Sequence, residues 1–246
     1  MKKRVLSAML VAAMAMTAIP SQTFAEGTLD AAQQTGNLSY DGYKKVWGDE
    51  FDGDSLKRAD WNVETHEKGW VNNELQEYVD SDENIQVKDG KLIINPVKKV
   101  TDGDNGSTKE AASYTSGRVS TQNKQTFTYG RFECRAKVPK GQGYLPAFWL
   151  MANDENVYGQ WPRCGEIDCM EVMGQETNKA YGTIHYGNPH SESQGTYYTG
   201  ADEADFSDGF HTFTCDWEPG KIIWYVDGVK YHEERDWYST TEGQLR

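Results

Sequence analysis

From Tyr43 onward, apolar and polar positions alternate over short runs that turn residues interrupt. NIQVKDGKLIINPV, residues 84–97, alternates on both sides of Asp89-Gly90, a dipeptide suited to a two-residue hairpin. FTYGRFECRAKVP, residues 127–139, sets Phe132, Cys134, Ala136 and Val138 against Arg131, Glu133, Arg135 and Lys137. Residues 211–234, HTFTCDWEPGKIIWYVDGVKYHEE, read as two hairpins in succession. No stretch sustains a helical period and no repeat is visible, so the pattern predicts an all-β antiparallel sandwich or barrel.

The first 25 residues follow another rule: a basic start at Lys2, Lys3 and Arg4, an apolar run from Val5 to Ile19, then the small residues Thr23 and Ala25. The run is too short to span a bilayer and ends in a cleavage-like site, which predicts a secretory signal peptide over 1-25 and a secreted, extracellular product. Residues 26-42 are rich in Gly, Thr, Gln, Asn and Asp and read as a linker, leaving 43-246 as one domain. Without the leader's three cations, 22 basic residues face 38 acidic ones, a net charge of about −16. Such a surface disfavours nucleic acid and anionic membranes, and suits a monomer acting on an uncharged polymer. Four cysteines allow two disulfides in three connectivities, yet Cys134, Cys169 and Cys215 lie in strand patterns that also suit buried thiols.

Chemistry concentrates in CGEIDCMEVMG, residues 164–174, where Glu166, Asp168 and Glu171 stand at offsets of 0, 2 and 5. In a regular strand the first two share a face and the third opposes them. A β-bulge near Cys169 and Met170 would bring Glu171 back to the same face, with Ile167, Cys169 and Val172 facing the core. The two glutamates then stand about 13 Å apart at Cα. Their side chains can lean together towards the roughly 5–5.5 Å between carboxyls that suits retaining glycoside hydrolysis. Asp168 between them disfavours full ionisation, so one carboxyl keeps a proton near neutrality while another is free to attack. An exposed acidic strand and a hard-cation site are the competing readings.

These residues resemble the signature E-[IL]-D-x-x-E of glycoside hydrolase family 16, in the bulged form of laminarinase-type β-glucanases. The resemblance extends from about Trp47 to Glu234, through VWGDEFDGDSLKRADWNVE, NNELQEY, GRFECRAKVPKGQGYLPAFWLM, YGQWPRCGEIDCMEVMG, GTIHYG and FHTFTCDWEPGKIIWYVDG. It implies a concanavalin-like β-jelly-roll sandwich of two curved antiparallel sheets with a concave glycan-binding cleft. It implies Glu166 as nucleophile, Glu171 as general acid/base and Asp168 as the assisting carboxylate. Asn73, Glu133, Arg135, Trp149, Trp161 and His185 would line the subsites. No cofactor is expected for catalysis, while a structural Ca²⁺ would take Glu50, the carbonyl of Gly90 and an acid from a later strand.

The implied activity is endo-hydrolysis of internal β-1,3 bonds in laminarin-like or mixed-linkage β-glucans. A galactan-active hydrolase and a non-catalytic glycan-binding module are the alternatives. Leu145 stands where such proteins often carry Trp, and Cys164 where they often carry Ser. The sequence also stops at GQLR, before the strands that usually follow, so the domain is expected to lack its C-terminal strands.

Overall fold

The structure, a computed structural model, describes residues 42–101, 111–200 and 204–239, all within the compact unit Ser39–Arg246. The expected leader and, except for Gly42, the linker lie outside the described residues. Turn chemistry cuts the described chain into short strands. Asp89 and Gly90 take φ of 51° and 68°, Asp227 and Gly228 take 48° and 79°, and each pair closes a two-residue hairpin. Positive φ at both positions matches the right-handed twist of the strands they join, and explains why Asp-Gly stands at these two turns.

In chain order the strands are β1 (Asn62–Val63), β2 (Gln76–Tyr78), β3 (Ile85–Val87), β4 (Leu92–Ile94), β5 (Val97–Thr101), β6 (Ala111–Ser116), β7 (Val119–Ser120), β8 (Gly130–Ala136) and β9 (Ala147–Met151). A single-turn helix, α1 (Glu155–Tyr158), follows, and the chain continues with β10 (Glu166–Glu171), β11 (Lys179–Tyr186), β12 (Ser191–Tyr198), β13 (His211–Glu218), β14 (Lys221–Val226) and β15 (Val229–Glu234).

Two four-stranded antiparallel sheets dominate, ordered β12-β11-β10-β9 and β15-β14-β13-β8. Smaller sheets join β1 with β7, β3 with β4, and β2 with β6 and β5. The β2–β6 pair is parallel, a departure from the all-antiparallel expectation. A parallel partner requires a long crossover, and the segment carrying β3, β4 and β5 supplies it.

The inward faces of the two large sheets meet in one sandwich core. Met170, Val172 and Ala180 pack with Phe213 and Val226, while Ile167, Cys169 and Ile184 pack with Cys215, Ile222 and Trp224. Each large apolar side chain buried this way contributes about 1.5–3 kcal/mol. All four cysteines are free thiols: burial pushes Cys134 up to about 11 and raises Cys169 as well, as inert core thiols.

Candidate active site

β10 carries the carboxylates, and its pairing shows how they are brought together. Against β9, Asp168 faces Trp149 and Met170 faces Phe148; against β11, Asp168 faces Thr183 and Glu171 faces Tyr181. One residue is therefore extra between Asp168 and Met170, the bulge expected from the spacing. Cys169 and Met170 consequently both turn inward, into different parts of the core, with Ile167 and Val172 on either side.

The bulge is held from below. The indole N–H of Trp224, wholly buried in the opposite sheet, donates to the Asp168 carbonyl at 2.8 Å. A ladder interrupted by an inserted residue leaves backbone groups in need of other partners, and this bond supplies one. Gly182 makes room for it, since a Cβ there would run into the Trp224 ring and the Tyr231 hydroxyl.

Opposed residues in an antiparallel ladder share a face, so the pairing defines three rows across the outer surface of this sheet. Glu166 lines up with Met151, His185 and Glu192; Asp168 with Trp149, Thr183 and Gln194; Glu171 with Ala147, Tyr181 and Thr196. Trp149 thus lies on the carboxylate face, while its neighbours Phe148 and Leu150 pack into the core. Arg118 stacks its guanidinium on Trp149, 4.7 Å from the ring centre, and bonds Glu64 at 2.6 Å.

Electrostatics divides the two glutamates. Burial, followed by the charge of Asp168, pushes Glu171 up to about 7, so it holds a proton near neutral pH. The same causes raise Glu166, but the indole N–H of Trp161 donates to its carboxylate, and His185 and Arg118 add positive potential. These groups favour the ionised form of Glu166 against the burial that raises it, while Glu171 is held as the acid, two carboxyls with opposite tasks. The Nε2 of His185 lies 3.2 Å from Asp168 Oδ2, and this contact is the main cause that raises its pKa.

Of the residues the sequence singles out, Glu166, Asp168, Glu171, Trp149, Trp161 and His185 meet at this face. Asn73 lies outside the cluster, exposed at φ 53° in the turn that Gly69 N–H closes on the Glu74 carbonyl. From the same turn Trp70 reaches the cluster, its ring 5.0 Å from the Arg118 guanidinium.

Glu133 and Arg135 require a correction. Their strand, β8, belongs to the other sheet, and the alternate residues Phe132 and Ala136 fill the core, so both polar residues point outward from the opposite surface. Glu133 adjoins Arg131 and Thr214 there, and Arg135 stacks on Phe210. Alternation marks which side of a strand is polar, but not which of two sheets the strand joins.

Sequence reasoning missed Arg118, Glu155, Tyr181, Thr183, Glu192 and Gln194. Glu155 accepts the Trp161 backbone N–H at 3.1 Å and the Cys164 thiol at 3.9 Å, and so ties down the loop that delivers Trp161. GTIHYG carried a usable signal for Thr183, because its alternation puts Thr183 in phase with His185.

The two residues expected to hold calcium, Glu50 and Gly90, are both exposed. The Glu50 carboxylate is engaged by Lys45 at 2.8 Å, while Gly90 lies in the tight Lys88–Lys91 turn.

Comparison with known proteins matches residues 72–242 to glycosyl hydrolases family 16. A glucan endo-1,3-beta-glucosidase of Cryptopygus antarcticus is 42% identical over 191 residues, covering 76% of this chain and 68% of that protein. Glucan endo-1,3-beta-glucosidase A1 of Niallia circulans is 38% identical over 214 residues, and the match spans 81% of this chain but only 31% of that longer protein. The catalytic domain of an endo-1,3-beta-glucanase (laminarinase) from Thermotoga petrophila RKU-1 superposes with a TM-score of 0.67 at 37% identity, covering 78% of this chain and 77% of that one. A bulged carboxylate strand on one face of a β-jelly-roll sandwich, together with these matches, establishes that the chain belongs to glycosyl hydrolases family 16.

Proposed function

We propose that this protein is a secreted, monomeric endo-β-glucanase that cleaves internal β-1,3 bonds of laminarin-like or mixed-linkage glucans with retention of configuration. The observation that carries this reading is the placement of Glu166 and Glu171 on one face on either side of Asp168, by an inserted residue, with Glu171 pushed up to about 7. The named activities of the two relatives and of the laminarinase domain supply the substrate class.

Glu166 attacks the anomeric carbon as its bond to the leaving sugar breaks, and Glu171 protonates the departing oxygen. Glu171, now ionised, removes a proton from water as the water displaces Glu166 from the covalent glycosyl-enzyme. His185 holds Asp168 from one side, and Asp168 in turn keeps Glu171 protonated through its charge. The face of Trp161, on the rim, offers a flat apolar surface to a sugar ring. No step requires a metal.

Profiling reducing-end release on laminarin, lichenan, agarose and xyloglucan tests the reading, with NMR assigning the anomer formed first. Release of β-anomeric oligosaccharides from laminarin or lichenan is expected. Cleavage of agarose alone would transfer the protein to the galactan-active class, and binding without release would make it a glycan-binding module.

A further inference from the structure

At the rim of the carboxylate face, the β11–β12 hairpin gathers three metal-ligating side chains that the hydrolytic scheme does not use together. His185 and Glu192 are opposed in the ladder and so share a face, and the connecting turn ends in His190, whose ring stacks 5.2 Å from that of His185. His185 Nδ1 lies 3.0 Å from His190 Nε2 and 3.3 Å from Glu192 Oε2, and the last two atoms are 3.9 Å apart. We infer that His185, His190 and Glu192 form a binding site for one divalent transition-metal ion of the Zn²⁺ type.

The separations suit that ion. Donors about 2.05 Å from a tetrahedral Zn²⁺ stand about 3.3 Å from one another, and the three observed distances bracket this value. Two imidazoles and one carboxylate form a borderline donor set that favours Zn²⁺ over Mg²⁺ or Ca²⁺, which prefer oxygen alone. The tautomer is also prepared. His185 Nε2 lies 3.2 Å from Asp168 Oδ2, so a carboxylate stands behind the ligating histidine and favours the tautomer whose Nδ1 is free to take a metal. When the ion enters, the proton shared between the two rings passes to solvent and the metal takes its place.

His190 and Glu192 are exposed, with side chains 39% and 53% accessible, so the ion has an open route in. Three protein donors leave a fourth position for water, next to Trp161, whose ring lies 5.0 Å from that of His190. An ion seated there would block the cleft rim and fix the ring that holds Asp168. Zn²⁺ is therefore expected to inhibit hydrolysis reversibly, a consequence that rests on the proposed function, whereas binding itself does not.

Titrating Zn²⁺ alone into the full chain by calorimetry in a chelator-free buffer at pH 7.5 tests the site. One equivalent is expected to bind, and His190→Ala and Glu192→Gln should each weaken it by about tenfold or more, with unchanged far-UV circular dichroism. Absence of Zn²⁺ binding overturns the inference. So does one equivalent bound with undiminished affinity by the His190→Ala/Glu192→Gln double variant, because the ion would then sit elsewhere, on a cysteine for example. Where the glucanase reading also holds, ethylenediaminetetraacetate should reverse the Zn²⁺ inhibition of the wild type, and the double variant should resist that inhibition.

Discussion

The two large sheets present similarly polar outer faces and use them for opposite ends. On the β15-β14-β13-β8 surface two acids flank one cation: Asp216 is opposed to Arg131 in the ladder and bonded to it at 3.1 Å, with Glu133 3.6 Å from the same guanidinium. On the β12-β11-β10-β9 surface three acids come from one strand, and no lysine or arginine is opposed to any of them. The first arrangement stabilises a surface. The second leaves carboxyls whose protons are shifted by burial and by one another, the condition that acid–base chemistry needs. Polarity alone therefore does not mark a site; acids with no opposing lysine or arginine, brought into phase by a bulge, do.

The strongest way to break this contrast is to exchange single carboxylates. Glu166→Gln or Glu171→Gln should lower kcat on laminarin by about 10³-fold or more, measured by reducing-end release, since each removes the nucleophile or the proton donor. Glu133→Gln, on the complementary face, should leave kcat within about twofold of wild type. Arg131→Met should do the reverse. Removing the shared cation takes the guanidinium from both Asp216 and Glu133 and should cost about 2–3 kcal/mol in urea unfolding, with kcat/KM of the folded fraction preserved.

Trp161→Phe sharpens the contrast within the carboxylate face. Without the indole donor the ionised form of Glu166 is less favoured, so kcat/KM should fall by about tenfold and the acidic limb of its pH profile should move upward. The basic limb should stay near pH 7, where Glu171 loses its proton. The smallest effect is on stability. Because the folded state raises Glu171, its carboxylate opposes folding above pH 7, and this penalty fades as pH falls through 7 towards 4.5. Glu171→Gln should therefore raise Tm by a few degrees at pH 8 and hardly at all at pH 4, by differential scanning fluorimetry.

Much of the fold was legible in local pattern. Asp89-Gly90 and Asp227-Gly228 located two of the two-residue hairpins, and the alternation of residues 130–136 and 211–234 anticipated β8, β13, β14 and β15. The bulge was legible because Glu171 stands out of phase with Glu166 and Asp168, and the burial of Ile167, Cys169 and Val172 bears out the face assigned to each. What failed was longer in range. Glu133 and Arg135 were assigned to the wrong sheet because strand pairing is settled by contacts distant in sequence, such as Phe213 against Cys134. Arg118 was missed because a single arginine in SGRVS carries no periodic signal; only the fold brings it to Trp149.

The bond from Trp224 to the bulged Asp168 carbonyl has a consequence for descent. Deleting the inserted residue would restore a regular ladder and leave the indole N–H without its acceptor, in the driest part of the sandwich. Replacing the indole first would leave the carbonyl waiting instead. The two positions are thus expected to change as a pair along a lineage, and a chain that straightens β10 should carry a different residue at position 224.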